Sequence, residues 1–226
     1  MKPKLEFEIL FEDARFIAID KPVGLLTTHT HLHGKLARSS QRTAENILND
    51  YLRKGQLKSK KRVFLVHRLD RETSGVLLFA KDERTAENLR ANWNELARKT
   101  YLARVVGELD NESGEFASYL RDDPATMKVA SVLDPSRGKL AITKWRALAR
   151  QKGTTLVEVK LETGRKNQIR VHFSEAGHPI IGDVKYGGEK ASRMYLHAWK
   201  LEIPSLDMKF ESSPEAHGFK LGGYSL

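Results

Sequence analysis

Cysteine is absent from this 226-residue sequence. That excludes disulfides, zinc–thiolate sites, iron–sulfur clusters and thiol nucleophiles, and it fits a reducing compartment. Long apolar runs are absent too, and no stretch approaches the ~18–20 apolar residues of a membrane-crossing helix. The N-terminal MKPKLEFEILFEDARF carries acids where a signal peptide has an apolar core, so a cytoplasmic protein without a membrane anchor is expected. There is no Gly-x-x-x-x-Gly-Lys phosphate loop, no dinucleotide fingerprint and no Gly-x-Ser-x-Gly elbow, so ATP, NAD and acyl-serine chemistry lack support. Internal repeats and low-complexity domains are missing as well.

What is present is ordinary globular composition, 40% apolar and 30% charged. The length suits one large domain, or one domain with an appendage, burying roughly 70% of its unfolded surface. Lys and Arg number 39 against 29 Asp and Glu, a net charge of +10. Such a balance points to a polyanionic partner, with an inert basic surface as the competing reading. Nothing suggests an oligomer interface, so a monomer is expected.

Apolar runs place strands at 7–11 and 16–19, parted by the turn-like Glu12-Asp13-Ala14-Arg15. Lys21-Pro22-Val23-Gly24 stops regular structure, and residues 27–42 read as a polar loop. Thr43 is expected to cap a helix bearing Ile47, Leu48, Tyr51 and Leu52. After a basic loop from Gly55 to Arg62, strands are expected at 63–66 and 76–80, and a helix at 83–98. Further strands are expected at 100–107, 115–120, 128–133, 141–149, 155–162 and 195–203. A short helix after Gly164 sets Ile169, His172, Phe173 and Ala176 on one stripe, with Gly177 as its cap. Residues 206–226 look like a loose tail on a domain spanning 1–205. Strands outnumber helices and follow one another directly, which predicts an α+β fold with a mixed, largely antiparallel sheet and flanking helices.

Three segments carry candidate chemistry. Residues 67–75 set His67, Arg68, Asp70, Arg71 and Glu72 between two apolar strands, where sites are commonly built. The flanking arginines favour an ionised Asp70, and a carboxylate so placed can be nucleophile, base or metal ligand. A surface turn with local ion pairs is the competing reading. At 163–170, Arg165, Lys166 and Arg170 surround a helix start, which suits a phosphate or carboxylate, or else forms a solvated basic face. His172, on the apolar stripe, reads as a core histidine. His29, His31 and His33 alternate and could share a metal, with Asp70 completing a hydrolase, although the segment looks like a loop.

Together these segments resemble the RluA-type pseudouridine synthases. The resemblance rests on Lys21-Pro22-Val23-Gly24-Leu25, on His67 to Gly75 followed by Ala80-Lys81, and on Lys99 to Gly107. It continues through Thr163 to His172, Gly177 to Asp183, and Tyr186-Gly187. One position departs: Asn167 stands where the family most often has histidine. The first strand begins by residue 7, so the small RNA-binding domain that some relatives carry in front is not expected.

The resemblance implies a catalytic core of that fold which isomerises uridine in RNA to pseudouridine, without cofactor or metal. By analogy Asp70 is the essential acidic residue, attacking ribose C1′ or assisting loss of uracil. Tyr101 would stack on the uracil and serve as base, Arg165 would pair with Asp70, and Ile169 would pack in the uracil pocket. Arg68 would fill the gap left by a flipped nucleotide, with His67, Lys166 and Arg170 as further substrate contacts. The expected partner is a stem-loop of ribosomal or transfer RNA, gripped in part by the basic loop 55–62. A non-catalytic RNA-binding or ribosome-assembly protein of the same fold is the alternative.

Overall fold

The computed structural model describes residues 5–29, 42–56 and 58–224. His31 and His33 lie outside them, while His29 Nε2 meets Asn46 Oδ1 at 3.2 Å. Among the described residues, no helix is long and apolar enough to cross a membrane.

β1 (Ile9–Glu12) and β2 (Phe16–Lys21) form a hairpin whose turn is pinned by Asp13, its carboxylate accepting from the N–H groups of Arg15 and Phe16. β2 pairs with β4 (Ser74–Ala80), and both strands are buried throughout. Their continuous apolar sequences follow from cover on both faces. On one face Ile17, Ile19, Leu77 and Phe79 pack under Leu48 and Leu52 of α1 (Ala44–Arg53). On the other, Phe16, Ala18, Val76 and Leu78 meet Ala86 and Leu89 of α2 (Glu83–Ala91). Thr43 caps α1 as expected, its hydroxyl accepting from Asn46 N–H at 3.1 Å.

The helix expected at 83–98 is interrupted. α2 stops at Ala91, Asn92 leaves helical geometry (φ −120°, ψ 20°), and α3 is only Trp93–Leu96. The chain is extended again at Ala97 because β5 (Arg98–Val106) is recruited between two partners, and strand pairing overrides local helix preference. Those partners are β9 (Thr154–Leu161) and β10 (Leu196–Ile203). β3 (Phe64–Leu65) edges β4. β6 (Ser113–Asp123), β7 (Lys128–Val132) and β8 (Lys139–Gln151) complete the far side.

The sheet runs β1-β2-β4-β10-β5-β9-β8-β6-β7, and among its described pairings only β4 with β10 is parallel. The fold is α+β with a mixed, mostly antiparallel sheet. α4 (Gln168–Glu175) lies over its second half, with Ile169 and Phe173 against Ala103, Val157 and Val159. Gly177 follows at φ +82°, while Ala176, expected on the apolar stripe, is exposed.

The segment expected as a loose tail at 206–226 anchors in the core through its described residues, which end at Tyr224. β11 (Met208–Glu211) pairs with β10, and Phe219 and Leu221 are buried against Leu102, Leu156 and Trp199. Its Gly, Ser and Pro residues punctuate turns between apolar anchors, and the anchors decide its state.

Candidate active site

Asp70 lies just before β4, on a loop fixed from below by backbone capture. Thr27 Oγ1 donates to Leu69 O at 2.8 Å and accepts from Leu69 N–H at 3.2 Å. Lys21, wholly buried, sends its ammonium to the carbonyl oxygens of Pro22, Leu25 and Arg71. Burial lowers its pKa to about 7, opposed by the charges of Asp70 and Glu72. Gly75 closes the loop against β10. At its φ of +111° a Cβ would meet Ala198 O at 2.2 Å, so only glycine fits.

The ion pair of Asp70 is with Arg170, not Arg165. Arg170 Nη1 donates to Asp70 Oδ2 at 2.9 Å, while its Nε and Nη2 grip Asp183 at 2.6 and 2.8 Å. Burial works against the Arg170 charge, but the bonds to Asp183 and the Asp70 charge outweigh it and raise its pKa. Arg165 Nε donates to Leu140 O at 2.9 Å. The difference is one of helical position. Arg165 precedes α4 and leans towards β8, whereas Arg170, in the first turn of α4, points back at the β4 loop.

Asp70, Tyr101, Arg165, Asn167, Ile169 and Arg170 line one pocket of about 70 Å³. Tyr101 projects from β5, and burial followed by the Asp70 charge raises its pKa, so it is a neutral phenol at neutral pH. Ile169 supplies an apolar wall. Arg68 is exposed at the rim, shared with an adjoining cleft of about 420 Å³ that also reaches Lys166. Lys166 is ion-paired with Asp122.

His67 is not in this pocket. Its Nε2 accepts from Leu78 N–H at 3.0 Å and its ring stacks on Trp93 at 4.7 Å, while burial lowers its pKa to about 3. It takes a β4 donor beyond the short β3, a structural duty that replaces the expected substrate contact. His172 is a core histidine, bonded to Thr143 and Ser118. The basic loop 55–62 leaves Lys58, Lys60 and Lys61 exposed, but it lies beyond the opposite end of β4 from Asp70.

Sequence reasoning overlooked the structural duties of Lys21, Thr27, Asp183 and Tyr186. Three of these sit in the segments quoted for the resemblance, so the signal was present without a role attached. Among the described residues, no group of three or more His, Asp or Glu side chains is arranged to hold a metal. The arrangement offers an anchored, partly exposed carboxylate, a neutral phenol and an apolar wall, equipment for covalent or proton-transfer chemistry on a flat ring.

Comparison with known proteins places the chain in a family. Residues 15–175 match the RNA pseudouridylate synthase family. The chain is 36% identical over 218 residues to an uncharacterized RNA pseudouridine synthase of Zymomonas mobilis, covering 92% of each. It is 35% identical over 213 residues to ribosomal large subunit pseudouridine synthase D of Nitrosomonas europaea, covering 88% of this chain but only 58% of that protein. Among solved structures, human RNA pseudouridylate synthase domain containing 4 superposes with a TM-score of 0.73 at 25% identity, covering 93% of this chain and 90% of its own. The matched residues include the Asp70 loop, Tyr101 and Arg170, and the chain therefore belongs to the RNA pseudouridylate synthases of the RluA type, which are isomerases.

Proposed function

We propose that this protein converts specific uridines of structured ribosomal RNA to pseudouridine, with Asp70 as the essential carboxylate and the base flipped into the Asp70–Tyr101 pocket. In that reaction N1–C1′ breaks, C5–C1′ forms, the C5 proton is released and N1 gains one. The carrying observation is the half-buried Asp70, anchored by Arg170 and opening on Tyr101 and Ile169. Asp70 either attacks ribose C1′ or assists loss of uracil with proton removal at C2′. A uracil inside a stem cannot reach the carboxylate, so flipping is required, at a cost of a few kcal/mol that is least in loops and bulges. Ribosomal RNA is favoured over transfer RNA by the Nitrosomonas relative's name.

The test compares pseudouridine maps of total RNA from cells with the gene, without it, and with Asp70→Asn. The expected result is ribosomal positions lost in the deletion strain and not restored by Asp70→Asn. Restoration by Asp70→Asn would overturn the assignment of Asp70, and lost positions confined to transfer RNA would overturn the substrate.

A further inference from the structure

The Asp70 carboxylate is held by more than its ion pair. A hydrogen-bond chain starts on β7, where Val129 N–H donates to Tyr186 Oη at 2.9 Å. That donor occupies a lone pair of the phenol oxygen, so the phenol proton points elsewhere. The Asn167 side chain lies there, at 3.0 Å. A proton aimed at an amide calls for its oxygen, which leaves the Asn167 NH₂ facing Asp70, 2.8 Å from Oδ2 and 3.2 Å from Oδ1. The reverse orientation would keep an N–H donated to Tyr186 Oη at 3.0 Å and gain a long contact of 3.4 Å from Arg170, but it would set the amide oxygen against a carboxylate oxygen and leave the phenol proton facing an NH₂. Repulsion between two acceptors decides the orientation.

Tyr186 supports the second donor too. The Arg170 guanidinium lies over its ring, 5.0 Å from the centroid. Asp183, which grips Arg170 from the other side, immediately precedes the short 3-10 turn Val184–Tyr186. Packing fixes that turn: Gly182 has φ +84°, and a Cβ there would lie 1.9 Å from Arg193 O. One turn therefore sets both groups that reach Asp70 Oδ2, while among the described residues Oδ1 receives only the longer contact from Asn167.

We propose that Tyr186 and Asn167 are positioning residues, with Tyr186 holding the Asn167 amide by its hydroxyl and the Arg170 guanidinium by its ring, so that Asp70 Oδ2 is clamped and Oδ1 is the oxygen that reacts. This rests on the reading of Asp70 as the reacting carboxylate. Rotation of the carboxylate breaks both clamps at once, and a misplacement of about 1 Å is enough to slow a reaction roughly 10²-fold.

The experiment uses RNA from cells lacking the gene, labelled with tritium at uracil C5, because forming the C5 glycosidic bond expels the label. Single-turnover release is measured against enzyme concentration for Tyr186→Phe, Asn167→Gly, the double variant and Asn167→His. Asn167 has φ 53°, where glycine is unstrained, so Asn167→Gly removes the amide without forcing the backbone. Each single variant is expected to lose roughly 10–100-fold in the saturating rate, with the half-saturating enzyme concentration within about threefold of wild type. The double variant is expected to be no slower than the slower single, because the hydroxyl acts through the amide. Asn167→His, which returns an N–H donor and tolerates positive φ, is expected to recover most of the loss.

Full-rate single variants, a multiplicative double variant, or a loss falling wholly on the half-saturating concentration would each overturn the proposal. If Tyr186→Phe melts below the assay temperature, the contrast between Asn167→Gly and Asn167→His decides alone. Asp70→Asn in the same assay separates the two readings: release by that variant sinks the Asp70 assignment, whereas an inert Asp70→Asn beside full-rate Asn167→Gly sinks only the clamp.

Discussion

Tyr101 illustrates how a strand residue becomes a site residue. Its register in β5 places it between Ala198 of β10 and Val159 of β9, and its ring packs with core residues on both sides. The hydroxyl, held as a neutral phenol, can pass a proton only by releasing its own as it accepts another. Tyr101→Phe keeps the packing and removes that route. We expect a chemical step slower by roughly 10²–10⁴-fold with RNA affinity little changed, measured by single-turnover tritium release and filter binding. A full-rate variant would reduce Tyr101 to a stacking surface. Asp70 was legible as a candidate in the crowding of five ionisable residues between two apolar strands, with a surface turn as the competing reading, and its catalytic role came only from the family resemblance. Its partner was not legible, because Arg165 and Arg170 are equally basic and only the helical turn between them decides which one faces the β4 loop.

At the scale of elements, the C-terminal segment shows composition misleading and anchors deciding. Phe219 is fully buried against Leu102, Leu156 and Trp199. Nearby, Ser212 and His217 both bond Asp20 Oδ1, tying the segment to the end of β2 beside Lys21. Phe219→Ala is expected to destabilise the fold by about 3–5 kcal/mol, read as a lower denaturant midpoint at unchanged slope. An unchanged midpoint would return the segment to the status of a tail. The interruption of α2 at Asn92 has the same origin: the pattern 83–98 is helical in period, but residues from Arg98 onward are claimed by two neighbouring strands.

For the whole molecule, with its net charge of +10, two clusters of basic side chains among the described residues are candidate grips on RNA. One is the exposed set Lys58, Lys60 and Lys61. It lies beyond the far end of β4, whose seven residues at roughly 3.3 Å each span about 20 Å. The other is a groove of about 490 Å³ lined by Arg121, Arg137, Lys139 and Lys166, which shares Arg165 with the Asp70 pocket. Neutralising Arg121, Arg137 and Lys139 to Gln is expected to make the slope of log affinity against log salt shallower by roughly 0.7–0.9 for each phosphate no longer neutralised. Neutralising the loop lysines should do so only with an RNA long enough to reach past β4. A groove variant with the wild-type slope would exclude the groove.

Acid sensitivity follows from two histidines, the buried His197 and the partly buried His67. Burial holds His67 at about 3 and His197 at about 4, both below the ordinary 6.5. Unfolding therefore takes up protons below about pH 6.5, so this contribution is complete above that pH and is lost as pH falls towards 4. The expected slope is up to about 1.4 kcal/mol per pH unit for each histidine. Unfolding free energies between pH 7 and 4.5 should fall accordingly, and His67→Gln or His197→Gln should each flatten the curve. An unflattened curve would place the protonation elsewhere.

The sequence by itself determined the class of fold and the exclusion of thiol chemistry. These depend on composition and period, which are properties of neighbours along the chain. Tertiary structure alone decided that His67 completes a strand edge, that Arg170 rather than Arg165 meets Asp70, and that residues 208–221 belong to the core. Each of those outcomes turns on which side chain faces which across the sheet, and such distances are set by packing between segments far apart in sequence.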